Sequence, residues 1–283
     1  MKFIISILKG MVMGVANIIP GVSGGTLAVS MGIYDDIISS ITHLFKQFKK
    51  SVMTLLPYFI GMGVSLVGLS YAIKYFLANY SLQTNMLFIG LILGGLPVLA
   101  GRFKGKKVGA GAGVAFVIAF AAIIVLQLLG EGGGDVVISV NAVEVVKLFI
   151  IGVIASATMV VPGVSGSMIL MILGYYNPIL TEVTKFFDAL KAFDMAAMID
   201  GAMILVPFGV GVVIGIFAIA KLIEFLLSKY EVITFAAILG LVIASPFAIF
   251  MNASIPALGF GNVSVSIVTL IVGFVIAFFL GRE

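Results

Sequence analysis

Seven apolar runs follow one another along the chain with short polar breaks between them. They are Val52–Leu77, Leu82–Ala100, Val108–Leu129, Val145–Val161, Ala202–Leu227, Val232–Phe250 and Val263–Leu280. A helix needs roughly 20 mostly apolar residues to cross the hydrocarbon layer of a bilayer. The pattern therefore predicts an all-α, polytopic membrane protein. No polar stretch is long enough to hold a water-facing domain. The opening "MKFIISILKG" has the charge and apolarity of a signal sequence. It runs into a glycine-rich segment with no convincing cleavage site, so it is expected to be part of the fold.

Composition agrees. Charged residues make up 10% of the chain and apolar ones 62%, against about 25% charged in a soluble domain. The chain has no cysteine and a single histidine, His43. A disulfide framework and a thiolate metal site are excluded. No metal, cofactor or nucleic-acid partner is expected.

Two stretches share one phrase. "GVANIIPGVSGGTLAVSMGIY" runs from Gly14 to Tyr34, and "ASATMVVPGVSGSMILMILGYY" from Ala155 to Tyr176. With Pro20 set on Pro162, 142 residues on, Gly21, Val22, Ser23, Gly24, Gly32 and Tyr34 meet Gly163, Val164, Ser165, Gly166, Gly174 and Tyr176. Beyond them the offset becomes 150, and Pro57, Gly61, Tyr80, Thr84 and Gly90 meet Pro207, Gly211, Tyr230, Thr234 and Gly240. Agreement through two further helices indicates an internal duplication. The eight extra residues fall in the polar "TEVTKFFDALKAFDMAAMID", which is expected to be a loop insertion. The organisation predicted is a first repeat at 1–107, a linker helix and outer loop at 108–141, a second repeat at 142–250, and a terminal helix at 251–283.

The charges orient the repeats. Lys46, Lys49 and Lys50 follow the first motif segment, and Arg102, Lys104, Lys106 and Lys107 close the first repeat. Lys and Arg favour cytoplasmic loops. The acidic loop at Glu131–Asp135, and the stretch holding Glu182, Asp188, Asp194 and Asp200, then fall outside. This assignment gives a cytoplasmic N-terminus and two repeats of inverted topology, the common build of secondary transporters.

A Pro-Gly-Val-Ser-Gly phrase breaks a helix, because proline lacks an N–H and glycine tolerates unusual conformations. Broken backbone survives at membrane depth only when buried in protein or lining a wet cavity. Each motif is therefore expected to be the tip of a re-entrant or discontinuous helix pair. Ser23 and Ser165 stand at N-cap positions, with Gly24-Gly25-Thr26 and Gly166-Ser167-Met168 opening the next helix. Helix starts attract anions. Close helix packing through small residues is the competing explanation.

Both motifs resemble those of the polyprenyl-phosphate transporter family, over essentially the whole chain. The family's signature falls here on Asn17, Pro20, Gly21, Ser23, Gly24, Gly25 and Thr26, and on Ser156, Thr158, Pro162, Gly163, Ser165, Gly166 and Ser167. The resemblance implies a cell (cytoplasmic) membrane protein that returns undecaprenyl phosphate to the cytoplasmic leaflet for envelope polymer synthesis. It places substrate-binding at Asn17, Ser23, Gly24, Gly25, Thr26, Ser156, Thr158, Ser165, Gly166 and Ser167.

Other polar residues carry weaker signals. Asp35 is a candidate for proton coupling or for a cap, and Tyr175 and Tyr176 for the lipid path or an aromatic belt. Lys9, Lys74, Lys147 and Lys221 sit in or near apolar runs. Lys221 and Glu224 are expected to neutralise each other at a spacing of three. Two other functions stay open: a polyprenyl-diphosphate phosphatase, and a small-anion channel or exchanger. The first needs a base and a phosphate clamp. The motifs hold no Glu, Arg or His.

Overall fold

The computed structural model describes residues 2–17, 22–129, 134–139, 141–253 and 259–281. Among them it is all-helical, with no strand. Among the described residues, seven helical stretches are long and apolar enough to cross a membrane, and they coincide with the seven apolar runs.

In the first half, α1 (Lys2–Ala16) leads into the short α2 (Gly24–Ser30) and the amphipathic α3 (Tyr34–Thr42). A long stretch follows, made of α4 (Phe48–Val64), a π-helical turn (Ser65–Leu69) and α5 (Ser70–Asn79); then α6 (Ser81–Gly101) returns. After α7 (Ala110–Leu129) the order recurs. The counterparts are α8 (Ala142–Val160), short α9 (Gly166–Ile172), α10 (Tyr176–Ala192), long α11 (Met195–Lys229) and α12 (Glu231–Asn252), with α13 (Phe260–Leu280) last.

The polar stretch expected as a loop insertion is helical. It forms most of α10, which at 17 residues is eight longer than α3 at 9. Ion pairs at a spacing of three, Glu182 with Lys185 and Asp188 with Lys191, suit a helix surface. Ile179 and Ala189 supply its buried face. The helix stops at Phe193, which is left-handed (φ 55°). Asp194 then caps α11, its carboxylate accepting from the N–H groups of Ala196 and Ala197.

The chain divides into two compact units. One comprises 1–127, 161–164 and 220–283; the other comprises 128–160 and 165–219. In the first, α1 lies against α4 at backbone contact. Gly10 faces the Tyr58 backbone, Gly61 the backbone of Ile7 and Gly10, and Gly14 the hydroxyl of Ser65. In the second, α8 meets α11 by the corresponding positions. Gly152 faces the Phe208 backbone, Gly211 that of Phe149, and Gly215 the hydroxyl of Ser156. The third contact exchanges glycine for serine and serine for glycine. A seam of small residues lets membrane helices touch backbone to backbone, and both units have one.

Helices α7 and α13, outside the recurring order, also find matching places within the first unit. Helix α13 packs on α6 with Gly90 and Gly94 at the Leu270 and Phe274 backbones. Helix α7 packs on α12 with Gly240 at the Phe116 backbone and Phe120 edge-on to Phe247. Much of α7 stays exposed, Val114, Val117 and Ile118 among its side chains, as a lipid-facing helix requires.

Candidate functional site

Pro20 and Gly21 lie outside the described residues. Ser23 has extended backbone (φ −107°, ψ 131°) at the N-cap of α2, as the sequence suggests. Its hydroxyl does not cap the helix. Asn17, at the end of α1, does so instead: the Gly24 N–H donates to Asn17 Oδ1 at 3.1 Å. A Cβ at Gly24 would sit 2.8 Å from that oxygen, so only glycine fits there without moving Asn17.

Helix α2 has seven residues, about 10 Å at 1.5 Å per residue, too short to cross a bilayer. Thr26 to Ser30 are all buried, as non-spanning backbone in a membrane protein must be. Its end is a Schellman turn. The Ile33 N–H donates to the Ala28 carbonyl, the Gly32 N–H to that of Val29, and Gly32 is left-handed at φ 70°.

The second motif repeats this form. Ser165 is extended at the N-cap (φ −95°, ψ 126°), and α9 again has seven residues. The Tyr175 N–H donates to the Leu170 carbonyl, the Gly174 N–H to that of Met171, and Gly174 has φ 76°. Ser165 also forms no cap; its hydroxyl pairs with that of Ser167 at 2.8 Å. The position matching Asn17 is Met159, so the side-chain cap of the first motif has no counterpart. Thr158 donates to the Ala155 carbonyl at 2.6 Å and Ser156 to that of Val153 at 2.9 Å. Ser156 is fully buried against Gly215, which makes it a packing residue of the α8–α11 seam. A Cβ at Gly166 would come within 3.1–3.4 Å of Ala155, Met159 and Thr158.

A hydrogen bond joins described residues of the two motifs. The Gly163 N–H, in the second Pro-Gly, donates to Thr26 Oγ1 at 2.7 Å. Gly163 is left-handed (φ 84°), and a Cβ on it would lie 2.9 Å from the Leu241 carbonyl oxygen. Residues 161–164 belong to the unit that holds α2, whereas Ser165, Gly166 and Ser167 belong to the other.

Charged groups gather at one cavity of the first unit. Asp35 Oδ2 lies 2.6 Å from Arg102, whose guanidinium stacks 5.0 Å from the Phe235 ring centre. Beside them is a cavity of about 280 Å³ that Glu224 and Glu231 also line. Glu224 pairs with His43 at 3.3 Å and Glu231 with Lys106 at 2.6 Å. The expected Lys221–Glu224 pair does not form; Glu224 turns to His43, and Lys221 is exposed. Burial, the largest influence, raises the pKa of Asp35, and the Arg102 guanidinium opposes that rise without reversing it. Elsewhere, buried Lys9 donates to the Met31 carbonyl at 3.4 Å, at the end of α2.

In the second unit Tyr175 is buried and donates to Glu144 at 3.0 Å. Glu144 is itself buried and pairs with Lys147. Tyr176 packs against the core formed by Leu148, Leu170 and Tyr175. Arg102, Glu144 and the His43–Glu224 pair were not legible as partners, because contacts between distant segments leave no spacing in the sequence. The one available signal was scarcity: Arg102 is one of two arginines in the chain.

A family model described as undecaprenyl phosphate translocase-like matches residues 13–262. The chain belongs to that family. A polyprenyl-phosphate transporter of Staphylococcus aureus is 34% identical over 98% of this chain and 96% of its own length. A polyprenyl-phosphate transporter of Vibrio cholerae is 29% identical over 87% of this chain and 77% of its own. No solved structure matches. The chain is a multi-pass membrane transporter rather than an enzyme.

Proposed function

We propose that this protein carries undecaprenyl phosphate, or a close polyprenyl phosphate, from the outer to the cytoplasmic leaflet of the cell membrane. There the lipid re-enters envelope polymer synthesis. The names of the two relatives support the substrate class. The two repeats are taken as inverted, with a cytoplasmic N-terminus, from the distribution of basic loops.

The observation that carries the mechanism is the doubled motif. Each copy has an extended serine, a seven-residue helix and a left-handed glycine. Neither short helix can span, so each copy is read as a re-entrant tip. The phosphate would be held at the tips by the hydroxyls of Ser23, Ser165 and Ser167 and by backbone N–H groups that Gly25 and Gly166 leave approachable; at Gly24, whose N–H donates to Asn17, the Asn17 side chain would give way to it. The prenyl tail stays in hydrocarbon, so only the charged head crosses, and moving that charge is the costly step.

Transport of undecaprenyl phosphate into proteoliposomes tests this reading. Losing one hydrogen bond to a charged group costs about 1.5–3 kcal/mol. Ser23→Ala and Ser165→Ala should therefore each slow transport about ten- to a hundredfold. Gly24→Val and Gly166→Val should stop it in protein that still inserts and folds. Normal rates in both glycine variants would reduce the motifs to packing devices.

A further inference from the structure

A second cavity lies at the ends of the helices in the first unit. It is a groove of about 360 Å³ between the start of α7 and the α11–α12 junction. That volume is at the lower end of ligand pockets, which run from about 300 to 1,000 Å³. Lys107 and Lys229 line it, with Tyr230, Glu231 and Ile233.

The charges in the groove do not cancel. Glu231 is engaged by Lys106 at 2.6 Å. Among the described residues, no carboxylate lies within ion-pair distance of Lys107 or Lys229. The Lys229 ammonium instead lies 5.5 Å from the ring centre of Tyr230 and 5.7 Å from that of Phe225. The floor is open: a Cβ at Gly109 would meet nothing within 4 Å, and one at Gly111 only the tip of Ile233 at 3.6 Å. Next to the groove runs the exposed apolar flank of α7, with Val114, Val117 and Ile118. Two unneutralised cations at the head-group level, beside a helix flank that faces acyl chains, are the two halves of a phospholipid site.

We propose that this groove binds the head group of an anionic phospholipid from the surrounding bilayer. Lys107 and Lys229 hold its phosphate, and its acyl chains lie along α7. The proposal rests on the membrane spans and not on what the protein transports.

Native mass spectrometry of the full-length purified protein, titrated with phosphatidylglycerol and separately with phosphatidylcholine, tests it. The unaltered protein should retain phosphatidylglycerol in preference. Lys107→Gln and Lys229→Gln should each weaken that binding about fivefold, the worth of one basic residue near an anionic surface. The double variant should lose more than tenfold, and Lys→Arg at both positions should retain it. Gly111→Leu fills the groove and leaves both charges, and it too should weaken phosphatidylglycerol. The same variants are titrated with undecaprenyl phosphate. Equal retention of the two phospholipids by the unaltered protein overturns the site. So does unchanged phosphatidylglycerol binding in the double variant. Loss confined to undecaprenyl phosphate overturns the phospholipid assignment and makes the groove part of the substrate path. None of these outcomes bears on whether Gly24→Val and Gly166→Val stop transport, so the two proposals fail separately.

Discussion

Thr26 and Gly163 stand 137 residues apart, and the hydroxyl of one accepts the backbone N–H of the other at 2.7 Å. Both are buried, and each belongs to a different copy of the same motif. A left-handed Gly163 presents its N–H to Thr26 while clearing the Leu241 carbonyl. The tie gives Thr26 a structural role whatever else it does.

Removing the acceptor should therefore be costly. Thr26→Val keeps the shape and leaves a buried N–H without its partner, at about 1–3 kcal/mol. Thr26→Ser keeps the oxygen and should lose far less. Thermal unfolding of the detergent-solubilised protein should rank them unaltered, Ser, then Val. Gly163→Ala should fall at or below Thr26→Val, since a non-glycine residue there adds backbone strain of about 1–3 kcal/mol and crowds Leu241. A Thr26→Val protein as stable as the unaltered one would mean that the bond contributes nothing.

The exchanged pair in the two helix seams makes a sharper test. Gly14 faces Ser65 in one unit, and Ser156 faces Gly215 in the other. Gly14→Ser alone sets two hydroxymethyl groups in one space and should destabilise the protein. Adding Ser65→Gly moves the serine to the other helix, the arrangement the second copy already uses. The double variant should recover most of the melting temperature lost by the single one. Ser156→Gly with Gly215→Ser should behave likewise. If the double variants melt no higher than the single ones, the two seams are not equivalent.

The spans were legible because they rest on local signals. Apolar length identifies a crossing helix, and Pro-Gly with Gly32 or Gly174 identifies a break and a stop. The start of α2 was legible too, since extended Ser23 precedes Gly24. What caps it was not. A serine beside a helix start is the commoner cap, and nothing in the sequence says that Asn17 reaches back across the motif. Helix α10 was missed for a related reason. Its high charge content reads as loop, and only the pairing of Glu182 with Lys185 and of Asp188 with Lys191 shows those charges to be a helix surface. Arg102 was assigned to a basic loop, and its pairing with Asp35 depends on two helices meeting that no pattern connects.

Asp35 should make stability depend on pH. It lies outside the spans, and burial raises its pKa above the ordinary 3.8. The folded protein then keeps the proton to higher pH than the unfolded chain does. The contribution of this group is complete below 3.8 and is lost as pH rises through the raised value. Asp35→Asn has no proton to lose, so its melting temperature should change less with pH across that window. Arg102→Gln removes the main influence that lowers the pKa, so the loss should move to higher pH. Identical pH profiles for the unaltered protein and Asp35→Asn would exclude Asp35 as the titrating group.

The inverted arrangement can be tested with the chain's own chemistry, because it has no cysteine. Lys49 lies in the first turn of α4, at the start of the first long stretch, and Gly134 follows α7; both are exposed. From Lys49 the chain crosses by α4–α5, returns by α6 and crosses again by α7. Three crossings separate the two positions, so they should face opposite sides. Lys49→Cys should react with an impermeant maleimide only after the membrane is opened, and Gly134→Cys should react in intact cells. A third cysteine at Asp188, on the charged surface of α10, should behave like Gly134→Cys, since α8 and α9 together return the chain to the outside if α9 is re-entrant. Suppose Gly134→Cys labels from outside but Asp188→Cys only from inside. Then α8 crosses without a re-entrant return, the two halves run parallel, and the pair of opposed tips cannot form. Outside labelling at both, with Lys49→Cys protected, is the pattern required of two inverted copies that each carry a broken helix, with the N-terminus in the cytoplasm.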